Sequence, residues 1–491
     1  MSILERELKL DLAAEFDSEG LVGSMGDWTF ERGDSLRFDG TYYDTPGLRL
    51  LRAGMSLRYR DGWLVKLPQP TDRPELMQRM EVPLEGRPGQ LPVEALDLVR
   101  SAARDCALVP VAMLSTRRQV FVVRDHSGTS LAEVTYDQVT ADVDGVLVPF
   151  RELEVELGAD ADLEALEPIV TRLRELGGGS FLNLPKVARA LEIEGRPDPE
   201  VVVAEVGQSS TAGELVQAAI ARSVRRFLEH APAVVLDEDP EGVHQARVAT
   251  RRLRSDLRVF RPFLDRSWAD GLRSDLRWLT DVLGGVRDLD VMGERFTEML
   301  PSVPTPELES AQEILAALQE ERAAAVTAVI EAFREPFYVD LLDRLVDAAA
   351  GPPMRAEANA IAPGRLIELT RKPWKKLRRA VDALPEKPSP DELHRLRIRT
   401  KRARYAAEAV ADLGGESAEL FSVALEELQD VLGEHQDAVV AARWLRGLEQ
   451  HLALAAGELI GFEIERANRS AEDWRDIWRS LNRPELTAWL G

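Results

Sequence analysis

The amino-acid sequence predicts two domains. The first is α+β, an antiparallel β-barrel (a tunnel) with flanking helices; the second is all-α, a duplicated helical bundle. Three observations carry this reading. Up to about residue 200, short segments alternate with period two, which is the pattern of strands. Beyond it Ala, Leu, Arg and Glu dominate, and apolar residues recur every three or four positions. Within that helical part, one set of residues returns after about 150 positions.

The strand pattern is clearest at 56–60, 119–123 and 151–157, with turn signals at Asp61-Gly62, Ser127-Gly128 and Asp144-Gly145 between segments. Helical spacing interrupts it at 93–104 and 162–176, and Gly177-Gly178-Gly179 ends the second helix. Arg196-Pro197-Asp198-Pro199 and Gln208-Ser209-Ser210 have linker composition, with 201–203 as a short strand. The expected boundaries are a first domain at 1–197, a linker at 198–210 and a helical domain at 211–491. Gly351-Pro352-Pro353 and Ala362-Pro363-Gly364 divide the last into repeats at about 211–350 and 362–491.

At 491 residues the chain is too long for one ordinary core, and 45% apolar content allows large ones. A formal charge of −23 argues against a nucleic-acid partner, which needs a basic footprint. One cysteine, Cys106, rules out a disulfide framework and a cysteine-rich zinc site; it is expected to be buried, in a reducing cytoplasm. The charged start has no apolar core of a signal peptide, and no apolar run reaches the ~18 residues of a membrane span. A cytoplasmic protein without a membrane partner is expected.

On a strand, residues i and i+2 share a face. Glu5, Glu7 and Lys9 therefore share one face, as do Arg58 and Arg60, Arg79 and Glu81, Glu133 and Asp137, and Glu152, Glu154 and Glu156. Leu153, Val155 and Leu157 take the opposite face of the last. Charge on one side of so many strands is costly unless it binds something. An interior lined by charge, with apolar residues outside, resolves the cost. Carboxylates suit Mg²⁺ or Mn²⁺, so Glu133, Asp137 and Glu152 join Glu5, Glu7, Glu81, Glu154 and Glu156 as metal candidates. Arg and Lys suit phosphate oxygens. Together they fit a triphosphate with its metal.

Glu5-x-Glu7-x-Lys9 matches the E-x-E-x-K signature of the CYTH, or triphosphate tunnel metalloenzyme, superfamily. Tyr42-Tyr43-Asp44-Thr45, Leu57-Arg58-Tyr59-Arg60, Lys66, Arg79-x-Glu81, Arg117-Arg118, Asp137, Glu152-x-Glu154-x-Glu156 and Lys186 follow in that family's order. The resemblance covers about residues 1–195 and implies metal-dependent cleavage of inorganic, thiamine or nucleoside triphosphates or of RNA ends, or cyclisation of ATP. It implies phosphate ligands at Lys9, Arg58, Arg60, Lys66, Arg79, Arg117, Arg118 and Lys186, metal ligands at Glu5, Glu7, Glu81, Glu154 and Glu156, and catalysis resting on Glu5, Glu7 and Lys9. Pro83 departs from the pattern where some members carry another acid.

In the helical part, His244, Arg247, Arg251, Arg254 and Arg258 fall in one stripe roughly 80° wide at about 100° per residue. His394, Arg397, Lys401 and Arg404 repeat it, as Val431-Leu432-Gly433 and Asp437 repeat Val282-Leu283-Gly284 and Asp288. Arg252 returns as Arg402, and Arg222, Arg225 and Arg226 as Lys372, Lys375 and Lys376, with Arg379 beyond. Such stripes repel themselves unless an anion neutralises them, and they carry few of the aromatics that nucleic acid would use. Asp288 and Asp437 are expected to cap or salt-bridge the basic helices rather than catalyse. This pattern resembles the CHAD domain over about 210–490, which implies binding of inorganic polyphosphate and association with polyphosphate granules. The leading reading is an inorganic triphosphatase with a polyphosphate-binding domain. The alternatives are a polyphosphate-binding adaptor with little activity, a thiamine or nucleoside triphosphatase, and an adenylate cyclase.

Overall fold

The computed structural model describes residues 2–12, 16–26, 28–158, 161, 163–195, 197–207, 209–359 and 363–490, apart from the side chains of 165, 363–366 and 411–414. Asp162, Arg196, Gln208 and Ala362, which figured in the expected helix, linker and break, lie outside that description. The chain forms two compact units, Met1–Glu200 and Val201–Gly491.

The first unit is one antiparallel sheet: β1 (Ile3–Leu12), β2 (Gly23–Met25), β3 (Trp28–Asp44), β4 (Ser56–Tyr59), β5 (Trp63–Pro68), β6 (Leu76–Leu84), β7 (Val109–Arg124), β8 (Ser130–Val143), β9 (Val146–Leu157) and β10 (Gly178–Phe181). The order runs β1-β6-β5-β4-β3-β7-β8-β9, and β9 pairs back onto β1, so the sheet closes into a tunnel. Asp144 and Gly145 both have positive φ, 51° and 83°, as a two-residue hairpin between β8 and β9 requires. Helices α1 (Arg49–Arg52), α2 (Val93–Ala103), α3 (Leu166–Glu175) and α4 (Lys186–Ala190) flank it.

Period-two alternation decides which side chains enter the tunnel. Leu8, Leu10, Phe121, Val134, Leu153 and Val155 turn outward and form a core with Ile169, Val170 and Leu173 of α3. Their sequence neighbours Glu7, Lys9, Glu152 and Glu154 turn inward. Further along, the inner wall becomes apolar at Ala112, Leu114, Val139 and Ala141, where Val187, Ala188 and Ala190 of α4 pack and fill one end.

The second unit is all-helical. Its first copy is α5 (Ala212–Leu236), α6 (Pro240–Val259), α7 (Arg266–Met299), α8 (Leu308–Arg334) and α9 (Pro336–Ala350). Its second is α10 (Pro363–Asp382), α11 (Pro390–Glu408), α12 (Ala411–Leu445), α13 (Ala453–Leu481) and the short α14 (Pro484–Thr487). Each basic helix starts alike: Asp239 caps α6 and Ser389 caps α11, and each cap precedes a proline at the first helical position. Separate apolar cores hold the copies, and a third core joins α7 and α8 to α12 and α13.

Two expectations fail here. No strand forms at 201–203; Val201 packs instead into the apolar core of the first helical copy. Its neighbour Glu200 is held in the first unit by Arg104 and, at 3.4 Å, by Arg49. Cys106 is exposed, with an Arg49 guanidinium N–H 3.0 Å from its sulfur, because the loop after α2 lies at the surface.

Candidate functional site

β1 sets the register of the charged tunnel. It lies between β6 and β9, with Glu5 opposite Arg79, Glu7 opposite Glu156, and Lys9 opposite Glu154. A cavity of about 190 Å³ opens among these residues, Arg58, Arg60, Lys66, Glu81, Arg118 and Lys186. Near α4, cations and acids are closely matched. Lys186 lies 2.9 Å from Asp137, 3.0 Å from Glu152 and 2.5 Å from Glu154. Arg118 forks onto Asp137 at 2.7 and 2.8 Å and reaches Glu154 at 2.6 Å. Lys9 pairs with Glu154 and lies 3.6 Å from Glu152. Burial disfavours the Glu154 charge, yet Lys186, Lys9 and Arg118 outweigh it and hold the carboxyl well below its usual range. For Lys9, burial is likewise outweighed by Glu154 and Glu7, so its ammonium is kept.

Away from α4 the matching is incomplete. Lys66 bridges Glu5 at 2.7 Å and Glu81 at 2.6 Å, and Arg79 pairs with Glu5 and Glu7. Arg58 and Arg60 have no ion-pair partner among the described residues; Arg60 rests over the Phe38 ring at 4.3 Å, and the buried Arg58 Nε has no hydrogen-bond acceptor. Burial and the nearby Arg58 and Arg118 depress Arg60. Glu156 likewise has no ion-pair partner, and burial together with Glu5 and Glu7 pushes it up to about 7. One wall thus has cations lacking anions, and another has an acid, Glu156, crowded by two others and lacking a cation.

Two sequence-predicted positions are corrected. Arg117 cannot share the wall with Arg118, because adjacent strand residues face opposite sides; it is exposed on the outer face. Glu133 is on the inner parity, opposite Glu156 in register, but it is exposed at the rim and does not line the cavity. Tyr42, Ser56 and Arg189 were missed as site residues. Tyr42 and Ser56 line the cavity, and Arg189, one turn after Lys186 on α4, lies 3.0 Å from Glu152. The Tyr42 signal was its parity with Gly40 and Asp44 on β3.

The acids suit a hard divalent cation. Carboxylate oxygens of Asp137, Glu152 and Glu154 lie within 4.8 Å of one another. Four cations, Lys9, Arg118, Lys186 and Arg189, contact that group; Lys9, Lys66 and Arg79 contact Glu5 and Glu7, so among the cavity acids it is Glu156, crowded by Glu5 and Glu7, that an added cation would relieve.

In the helical unit, α6 and α11 pack together and bring their stripes close. Arg251 donates to the Tyr405 hydroxyl at 3.0 Å. Arg247 lies 3.2 Å from Asp288, and Arg397 3.9 Å from Asp437. The repeated glycines make room for these guanidinium groups: a Cβ at Gly284 would lie 2.8 Å from Arg247, and one at Gly433 3.6 Å from Arg397. Burial, with Arg251 and Arg397 beside it, drives the Lys401 ammonium down to about 6. Arg254 keeps a buried Nε without an acceptor. Arg222, Arg226, Arg252 and Arg404 line one groove, and Arg258, Lys372, Lys376 and Arg402 another. Arg225, Lys375 and Arg379 are exposed and line neither; Arg225 lies 3.4 Å from Glu229. His394 Nδ1 is 2.7 Å from the Gln436 carbonyl, and burial with nearby Arg287 lowers His244. Among the described residues, neither histidine joins a metal-sized group of acids.

A closed antiparallel tunnel walled by paired acids and cations, followed by a duplicated bundle with basic helix faces, defines a two-domain class. The chain carries a CYTH domain, matched at residues 4–187, followed by a CHAD domain, matched at 218–446. It is similar to the uncharacterized protein Rv2226 of Mycobacterium tuberculosis, 28% identical over 520 residues, covering 98% of this chain and 96% of that one. Among solved structures, a CHAD domain from the plant Ricinus communis is 27% identical, covers 57% of this chain and 95% of its own, and has a TM-score of 0.47. PptA from Streptomyces chartreusis is 20% identical, covers 55% of this chain and 100% of its own, and has a TM-score of 0.46. No helix among the described residues is long and apolar enough to cross a membrane.

Proposed function

We propose that the tunnel hydrolyses inorganic triphosphate with Mg²⁺ or Mn²⁺, and that the helical domain binds inorganic polyphosphate. The observation that carries the first part is the unmatched charge inside the cavity: Arg58 and Arg60 without acids, and Glu156 crowded by Glu5 and Glu7. A triphosphate supplies the missing anion and a divalent ion the missing cation. Glu5, Glu7 and Glu156 would hold the metal, which supplies charge neutralisation at phosphate oxygens. Arg58, Arg60, Lys66, Arg79, Arg118 and Lys186 grip the phosphates, with Arg offering the bidentate fork. Lys9, fixed between Glu7, Glu152 and Glu154, presents a buried positive charge to the anion. Electrostatic positioning then supplies most of the acceleration, as expected of phosphoryl transfer.

The polyphosphate reading rests on the clustered, mutually repelling cations Arg247, Arg251, Arg397 and Lys401, which a linear polyanion without bases would neutralise. A cytoplasmic location with association to polyphosphate granules belongs to the same reading. The test is phosphate release from inorganic triphosphate, ATP and thiamine triphosphate with either metal, by wild type and Glu5→Ala. Preference for inorganic triphosphate, lost in the variant, is expected. Release from none of them sinks the enzyme reading and leaves a phosphate-binding adaptor; faster release from a nucleotide or thiamine substrate reassigns the substrate.

A further inference from the structure

The two helical copies carry corresponding grooves whose charges have diverged. Arg222 and Arg226 of α5 correspond in sequence to Lys372 and Lys376 of α10, and Arg252 of α6 to Arg402 of α11. The two sets line separate grooves of about 640 Å³ and about 420 Å³. In the first groove the chain's own acids occupy Arg252 and Arg404, while Arg226 and Arg251 donate to the neutral Gln245 and Tyr405. Glu408 pairs with Arg252 and lies 2.5 Å from Arg404; Glu426 takes the other side of Arg404 at 2.5 Å; Asp256 lies 3.4 Å from Arg252.

The second groove has lost these acids. The position matching Glu408 is Arg258, that matching Glu426 is Arg277, and that matching Asp256 is Ala406. Arg258, Lys372, Lys376, Arg399 and Arg402 meet there, and the acid in the lining is Glu368. No carboxylate lies within ion-pair distance of those five cations among the described residues. Burial, with Arg402 and Arg273 beside it, lowers Arg258, so the repulsion is unrelieved. Two related grooves of one fold therefore differ in whether an anion is still required.

We infer that inorganic polyphosphate bound at the stripes of α6 and α11 continues into the second groove, between the end of α6, α10 and α11, and that Glu408 and Glu426 take its place at Arg252 and Arg404 in the first. This rests on the polyphosphate reading of the helical domain. It assigns different tasks to the two grooves: one takes the polyanion, and in the other Arg252 and Arg404 are held by the chain's own carboxylates.

The test counts short polyphosphate molecules bound per full-length chain by titration calorimetry, with EDTA present so that no metal-dependent turnover consumes the ligand. Lys372→Glu with Lys376→Glu should weaken binding by at least about tenfold relative to wild type. Glu408→Gln with Glu426→Gln frees Arg252 and Arg404 and should tighten binding or add one bound molecule. Differences between variants report on the helical domain whatever the tunnel binds. Wild-type stoichiometry and affinity in the lysine variant, or no gain in the glutamine variant, overturns the inference while polyphosphate binding itself stands. A wild type that binds no polyphosphate overturns both. Should the charge reversals unfold, as thermal melting would reveal, Lys372→Met with Lys376→Met carries the same expectation.

Discussion

At the scale of single residues, the tunnel is governed by which charges are already satisfied. Arg118 is tied to Asp137 and Glu154 and faces inward; Arg117 faces out and is exposed. Arg118→Ala should lower kcat/KM on triphosphate by roughly 10²-fold or more, whereas Arg117→Ala should leave it within about twofold. Steady-state kinetics on the pair checks this; equal losses would contradict the assigned faces. Strand parity made Glu5, Glu7, Lys9 and Glu154 legible from sequence, because period two fixes the face. It could not place Glu133, because parity gives the face but not the depth along the tunnel.

Lys401 makes a pH prediction at the same scale. Its folded value of about 6 lies below the usual lysine range, through burial and through Arg251 and Arg397, with Asp437 opposing. The unfolded chain therefore binds more protons between about pH 6 and the ordinary lysine value. The repulsive cost is fully present below pH 6, and stability from this site rises as pH rises through that window. Lys401→Met should then raise the melting temperature at neutral pH. A bound polyanion restores the ammonium, so polyphosphate binding at pH 7–8 should take up a proton and weaken as pH rises. Calorimetry in buffers of different ionisation enthalpy measures that uptake, and none would contradict the account of Lys401.

At the scale of elements, the repeated Val-Leu-Gly segments have a structural reason. Gly284 gives the Arg247 guanidinium its place, and Gly433 leaves more room beside Arg397. Gly→Ala inside a helix gains about 1 kcal/mol from propensity. Gly433→Ala should be more stable with polyphosphate affinity kept, whereas Gly284→Ala should displace Arg247 and lose affinity. Thermal melts with binding titrations check both. The repeat itself was plain in the sequence because helices α6 and α11 carry matching basic stripes led by His244 and His394. The packing of α4 into one end of the tunnel was not, because α4 spans only Lys186–Ala190, too short for helical periodicity to register. Ala188 is fully buried there, so Ala188→Leu should cost roughly 1–3 kcal/mol by overpacking and disturb Lys186 and Arg189 beside it. Denaturant unfolding and triphosphate kinetics on that variant check the two effects.

At the scale of the whole molecule, a chain of net charge −23 keeps two kinds of locally basic surface. In the tunnel, cations and acids interleave; on the helical domain, stripes of cations face one another. The global charge argued against a nucleic-acid reading, and local patterning carried the rest. Both domains were recognisable in sequence because their charged residues sit at periods that only a strand or only a helix can present on one face. The difference between the two helical grooves was not, because it depends on Glu408 and Glu426 of one copy reaching Arg252 and Arg404 across helices. The central claim is that the tunnel acts on a triphosphate with a metal. Phosphate release from inorganic triphosphate by the full chain, with Mg²⁺ or Mn²⁺ and again in EDTA, tests it most directly. The account predicts release with metal, none in EDTA, and a loss of roughly 10²-fold or more in Glu5→Ala; equal release from wild type and Glu5→Ala, or none under any condition, would contradict it.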